Sequence, residues 1–201
     1  MRTYCLVVTE LNQMPTLIIE DAQRWSRLIA NGAKQLAIYA DNLSLICNEK
    51  NELYCGNSTT MRRTRKRLSS LLHRLQKPIS NLQHILEALR IIQERTEHMW
   101  RRVRMWNDDS NLRHYCITRQ LSTSNLHELL LFLHKRYEYE WEVKEMVVLG
   151  LNGKNIDYDL KLLLAAWCSN RHAGGDEYNA KLKELYWCMG QRQCPDFRNE
   201  L

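Results

Sequence analysis

A chain of 201 residues with 44% hydrophobic and 26% charged side chains has room for one domain, or for one elongated helical body with a smaller appendage. Its seven glycines and three prolines disfavour a turn-rich all-β fold and a glycine-rich phosphate loop, and no apolar run approaches the ~18 residues of a membrane helix. The formal charge of +6 is unevenly placed: residues 61–121 carry 14 basic and 5 acidic side chains, against 5 and 6 in residues 1–60 and 10 and 12 in residues 122–201.

The first residues, Met1-Arg-Thr-Tyr-Cys-Leu-Val-Val, contain an apolar patch too short for a signal-peptide core of ~7–15 residues, which points to a chain that stays inside the cell. Residues 1–19 show no helical period, Pro15 interrupts them, and they read as a tail. From Glu20 the apolar positions Trp25, Leu28/Ile29, Leu36, Tyr39/Ala40, Leu43 and Ile46 step by threes and fours, which predicts an amphipathic helix to about Cys47. A polar loop over 48–60 follows. Leu68, Leu72, Leu75, Ile79, Leu82, Leu86, Leu89, Gln93, Thr96, Trp100 and Val103 then read as a heptad seam about five heptads long. Pro78 inside it should kink or split the rod. The two long helices fold back most simply as an antiparallel hairpin over 20–108.

A break at Asn107–Asn111 and an irregular stretch to Thr123 separate this hairpin from a C-terminal unit over 122–192. Ser124/Asn125 with Glu128 reads as a capping box opening a helix to about Leu149, which Gly150-Leu-Asn-Gly153 ends with left-handed-tolerant residues. Two shorter helices are expected at about Ile156–Cys168 and, after Gly174-Gly175, Asp176–Met189, with Gly190 as the stop and 193–201 as a tail. The expected fold is all-α: a long antiparallel helical hairpin, coiled-coil-like, followed by a smaller three-helix unit.

Residues suited to chemistry are scattered. No Gly-x-Gly-x-x-Gly, Gly-Lys-Ser/Thr, His-Glu-x-x-His or Gly-x-Ser-x-Gly occurs. The seven cysteines form no Cys-x-x-Cys pair, and Cys47 and Cys168 sit in apolar helical stretches as small hydrophobes. His127 and His134, seven apart, share a helix face, and this reads as lining rather than as a ligand set. A non-enzymatic protein without metal or cofactor is expected. The run Arg62-Arg63-Thr-Arg65-Lys66-Arg67 has three readings: a solvated helix face, a nuclear localisation signal, or phosphate contact.

The C-terminal third carries a resemblance. Glu128, Leu133, Tyr137, Glu140, Lys144, Val147 and Trp167 occur as E-x4-L-x3-Y-x2-E-x3-K-x2-V-x19-W, followed by Leu182, Gly190 and Arg192 as L-x7-G-x-R. Near the front, Gln23-Arg-Trp25-Ser-Arg-Leu28-Ile29 supplies Trp-x-x-Leu-Ile. In their order and spacing these residues resemble the cyclin-dependent kinase 2-interacting protein family. The resemblance implies a non-enzymatic adaptor of nucleus and cytoplasm. Its implied partners are the subunits of an AAA-type ATPase assembly with a small helical companion, and cyclin-dependent kinase complexes; its implied settings are large ribosomal subunit maturation, DNA replication and checkpoint control. The strongly basic middle helix departs from the more acidic one expected of that family.

Trp25, Leu75, Leu82, Tyr137, Trp141 and Trp167 are the candidate partner contacts, with core packing as the competing reading for Tyr137, Trp141 and Trp167. Two other functions stand beside the adaptor: a basic helical protein that binds RNA or DNA, and a coiled coil whose heptads pair between copies.

Overall fold

The computed structural model describes residues 2–55, 58–151 and 156–190. Its helices are α1 (Arg2–Cys55), α2 (Ser58–Asp108), α3 (Thr123–Gly150), α4 (Ile156–Cys168) and α5 (Asp176–Cys188). The all-α expectation of two long helices followed by smaller ones describes this architecture.

Polar pairs between α1 and α2 fix their direction. Glu10 meets Arg102 at 2.5 Å, Asp21 meets Arg95, Gln35 Oε1 accepts from Asn81 Nδ2 at 2.9 Å, and Glu49 lies 3.6 Å from Arg67. As the α1 number rises the α2 number falls, so the hairpin is antiparallel. The α2 heptads therefore pack against α1 of the same chain.

From Arg2 on, the expected tail over 1–19 is helix instead: α1 begins there and runs through Pro15. Leu11, Met14, Ile18 and Ala22 are buried and continue the stripe of Trp25, Ile29, Leu36, Tyr39, Leu43 and Ile46 towards the N-terminus. An interior proline costs a helix ~3 kcal/mol. Burying each large aliphatic side chain returns about 1.5–3 kcal/mol, so three of them outweigh the proline. Most of the supposed polar loop is helical too, since α1 continues to Cys55 and α2 starts at Ser58.

The seam of α2 is also revised. Leu71, Pro78, Leu82, Ile85, Leu89, Ile92, Thr96, Met99, Val103 and Trp106 are buried, while Leu72 is 47% exposed. Every second position of the expected seam holds from Leu82 on (Leu82, Leu89, Thr96, Val103), with Leu68 and Leu75 half-buried, and the alternate positions shift by one residue. The displaced flank has another use. It faces α3: Leu86 offers its carbonyl to Trp141 Nε1 at 3.2 Å, and the Trp100 ring stacks on His134 and His127 at 5.5 and 6.5 Å. Pro78 does not split α2, which is one helix from Ser58 to Asp108.

The connector over 109–122 is held by its own backbone, with Ile117 N–H donating to Leu121 O at 2.8 Å and Thr123 N–H to Tyr115 O at 3.0 Å. Leu112 and Leu121 anchor it in the core. The N-cap of α3 is Ser122, not Ser124 or Asn125: Ser122 is extended (ψ 168°) and its Oγ accepts from Asn125 N at 3.2 Å. Glu128 is exposed. At the far end Leu151 caps α3 in a right-handed conformation (φ −64°), so a left-handed residue does not make this stop. Residues 152–153 and the expected tail at 193–201 lie outside the described residues. The bounds of α4 fall as expected. Those of α5 are as expected to within a residue, with Gly190 at φ 73° supplying the left-handed turn that other side chains resist. One apolar core joins the hairpin to the C-terminal helices without a break.

Candidate interaction surfaces

The interior site that ties the C-terminal unit to the hairpin is built on α3. Tyr137, Glu140 and Lys144 follow at three and four residues and all are buried, so the helical period puts them on one face. Lys144 Nζ lies 2.5 Å from Glu140 Oε1 and donates to the carbonyls of Trp167 (2.6 Å) and Ala166 (3.3 Å). Those are last-turn carbonyls of α4, which have no partner inside their own helix. A cation there also complements the helix dipole. Glu140 Oε2 accepts from the backbone N–H groups of His172 (2.8 Å) and Ala173 (3.2 Å) in the α4–α5 turn. One ion pair thus holds both sides of the turn, and burial holds the Lys144 ammonium below its ordinary pKa despite the adjacent carboxylate.

Trp167 closes the site against α1. Its Nε1 donates to Ile29 O at 3.0 Å, and its ring lies in a slot over Gly32, where a Cβ would fall 1.9 Å from Cζ2. Tyr137 packs on Trp25 with ring centres 4.4 Å apart and shares a 2.8 Å hydrogen bond with the Tyr178 hydroxyl of α5. Burial pushes both phenols well above their ordinary value of 10. The unfolded chain therefore loses these protons first as pH rises, and stability falls above about pH 10. Each tyrosine removes up to ~1.4 kcal/mol per pH unit there. Urea melts between pH 10.5 and 11.5 should show this slope, and Tyr137→Phe with Tyr178→Phe should flatten it; an equal slope in that double variant would refute the assignment.

The residues that carried the family resemblance converge here. Leu133, Tyr137, Glu140, Lys144, Val147, Trp167 and Leu182 are all buried, whereas Glu128 is on the surface and Arg192 lies outside the described residues. No family model matches the chain, and no curated protein matches it either.

As contacts available to a partner, Trp25, Leu82, Tyr137 and Trp167 are corrected: their side chains are enclosed in this chain's own core. Leu75 is half-buried against that core, and Trp141 is half-buried with its indole N–H committed to Leu86. Cys168, expected among hydrophobes, is exposed at the end of α4. Among the described residues no group of three or more His, Cys, Asp and Glu side chains is placed to hold a metal ion.

Arg62, Arg63, Arg65, Lys66 and Arg67 are exposed on α2, and of these only Arg67 reaches a carboxylate among the described residues, Glu49 at 3.6 Å. Exposure of this kind suits all three readings of the run, and an exposed pair such as Arg67–Glu49 contributes ~0–1 kcal/mol. Changing all five to alanine should shift the melting temperature by no more than a few degrees; unfolding of that variant would contradict their placement in solvent.

Two surfaces carried no legible sequence signal. Leu121, Leu129, Phe132, Leu185 and Cys188, rimmed by Glu128, Lys181 and Glu184, line a cleft of about 190 Å³ between α3 and α5. On the hairpin, clefts of about 600 and 410 Å³ meet at Arg74, between residues 35–49 of α1 and 67–81 of α2. Both arise only when separate elements are brought together.

Proposed function

We propose that this chain is a non-enzymatic adaptor, similar in role to the cyclin-dependent kinase 2-interacting protein family. In this reading it serves as a subunit of an AAA-type ATPase assembly in large ribosomal subunit maturation and in DNA replication and checkpoint control, in nucleus and cytoplasm. A small helical companion and cyclin-dependent kinase complexes are its further partners.

One observation carries the reading. The side chains with the most chemical potential, Glu140, Lys144, Tyr137 and Tyr178, are enclosed and occupied in holding helices together. Large apolar ones are left in solvent instead, with Leu149, Leu162 and Trp187 each about two-thirds exposed (67%, 65% and 66%). Exposed apolar side chains on a body whose buried ion pair and tyrosines are occupied internally suit a binding module.

The exposed run Arg62–Arg67 favours a second reading, RNA or DNA binding. A tagged pull-down from native cells at 100 and then 400 mM salt, with mass spectrometry of the stoichiometric bands, separates the two. The adaptor reading expects protein partners, large AAA-type subunits among them, to survive both washes. Phosphate binding weakens log-linearly with salt, so recovery of RNA-dependent material alone, lost at the higher salt, would replace the adaptor by the second reading.

A further inference from the structure

The distal part of the hairpin carries a groove that no described residue fills. Its α1 wall is Gln35, Ile38, Asn42, Leu45 and Glu49, a stripe at alternating threes and fours, with Ile38 and Leu45 exposed at 46% and 49%. Its α2 wall is Arg67, Ser70, Arg74, Lys77 and Asn81, also at threes and fours. Buried Leu71 and Pro78 form the floor. This is the flank of α2 opposite the one α3 occupies. Nearer the hairpin's open end, the pairs Asp21–Arg95 and Glu10–Arg102 bridge the same flank. Beyond the Gln35–Asn81 hydrogen bond one bridge remains, Glu49 to Arg67 at 3.6 Å, and among the described residues no carboxylate lies within ion-pair distance of Arg74 or Lys77.

We propose that this groove is the docking site for an acidic amphipathic helix of a partner protein, which completes a local three-helix bundle; the proposal rests on the adaptor reading. From Gln35 to Glu49 the α1 wall spans about 21 Å, four turns of helix. A helix of that length has aliphatic residues at heptad spacing for Ile38 and Leu45. Its flanking carboxylates meet Arg67, Arg74 and Lys77, against which the groove itself sets one acid, Glu49.

Charge complementarity selects this occupant. A groove with one aliphatic wall and no Trp, Tyr or Phe in its lining, where His73 is the one ring, offers a poor platform for stacking successive bases. A second copy presents an acidic apolar stripe of its own, Tyr139, Glu142, Met146 and Leu149 on α3. Docking it there pairs unlike patches, which either closes a ring of copies or propagates an open chain, and either product grows with concentration.

The test uses the full chain and a display library of 18-residue helices, with leucine at heptad spacing and flanking positions randomised among Glu, Lys, Gln and Ser. The expected result is enrichment of Glu-flanked sequences. Binding of the best should fall at least tenfold in Ile38→Glu/Leu45→Glu, and Arg74→Glu/Lys77→Glu should invert the preference to Lys flanks. Both pairs are at the surface, so helicity and melting temperature should stay at parental values. No enrichment, binders indifferent to both double variants, or displacement of the binders by a single-stranded oligonucleotide would each overturn the proposal, as would concentration-dependent self-association abolished by Met146→Glu/Leu149→Glu. The pull-down with Ile38→Glu/Leu45→Glu separates the two levels. Protein partners retained by that variant sink the groove and leave the adaptor reading standing, whereas absence of stable protein partners from the parent sinks the adaptor reading itself.

Discussion

Replacing Lys144 with methionine should lower the unfolding free energy by about 3–5 kcal/mol, the usual cost of leaving one member of a buried ion pair without the other. Methionine nearly matches the lysine stem in volume, so packing changes little and the loss is electrostatic. Glu140 stays behind as a buried carboxylate without its cation, and the Trp167 carbonyl loses its donor, while the Ala166 carbonyl keeps the Ser169 hydroxyl at 3.0 Å. Glu140→Leu combined with Lys144→Met removes both charges, which on its own is often neutral or stabilising. Here it also strips the acceptor from the amides of His172 and Ala173, at about 1–3 kcal/mol for each buried group left unsatisfied. The double variant should therefore recover part of the loss and not all of it. The pH dependence adds a second readout. Burial lowers the folded-state pKa of Lys144 from 10.5, so the unfolded chain holds that proton more firmly, and its contribution to stability rises with pH towards 10.5. In Lys144→Met that rise disappears. Urea denaturation of the parent and both variants between pH 7 and 10 decides it; a single variant within 1 kcal/mol of the parent would mean that the pair does not hold the turn.

The architecture was legible where local chemistry and period agree. The glycines around α5 and the period of α4 placed those helices to within a residue, and the antiparallel hairpin followed from two long stripes joined by a polar stretch. The register of α2 was less accessible for a physical reason. A helix packed between two neighbours has a wide apolar arc, and Leu71 and Leu72, Ile85 and Leu86, or Met99 and Trp100 supply adjacent candidates on it. Period alone does not say which edge meets α1 and which meets α3. Pro15 misled because the local cost of a proline is visible in the sequence, whereas the burial of Leu11, Met14 and Ile18 that offsets it needs α1's packing partners. Glu140 and Lys144 look locally like an ordinary surface pair four residues apart. Only the return of the chain over residues 166–173 encloses them. The five cations of the basic run stand in solvent, which each of their three readings requires. The hairpin groove had no signal, because its facing wall residues lie between 18 (Glu49 and Arg67) and 46 (Gln35 and Asn81) positions apart in the chain.

Gly32→Ala should destabilise the fold although it improves the intrinsic propensity of α1. In an open helix this exchange gains about 1 kcal/mol. Here the new methyl would stand 1.9 Å from Trp167 Cζ2 and 2.5 Å from Cε2, far inside contact distance, and the ring has nowhere to go. Its Nε1 is bonded to Ile29 O, its ring lies 5.7 Å from the Lys144 ammonium, and its own carbonyl is held by that same lysine. Overpacking a filled core costs typically 1–3 kcal/mol, and an immobile neighbour places this site at the upper end, so a net loss of about 2 kcal/mol is expected. Trp167→Ala should cost about 3–5 kcal/mol through the cavity it leaves. Once the indole is gone, the Gly32 slot is empty and the extra methyl has space, so alanine at 32 should stabilise the Trp167→Ala background. The sign of one substitution thus reverses with the identity of the other residue, which independent sites never show. A double-mutant cycle by chemical denaturation measures this coupling, expected at about 2–3 kcal/mol. Additive effects would mean that Trp167 does not occupy the slot over Gly32, and α4 would then need another seat on α1.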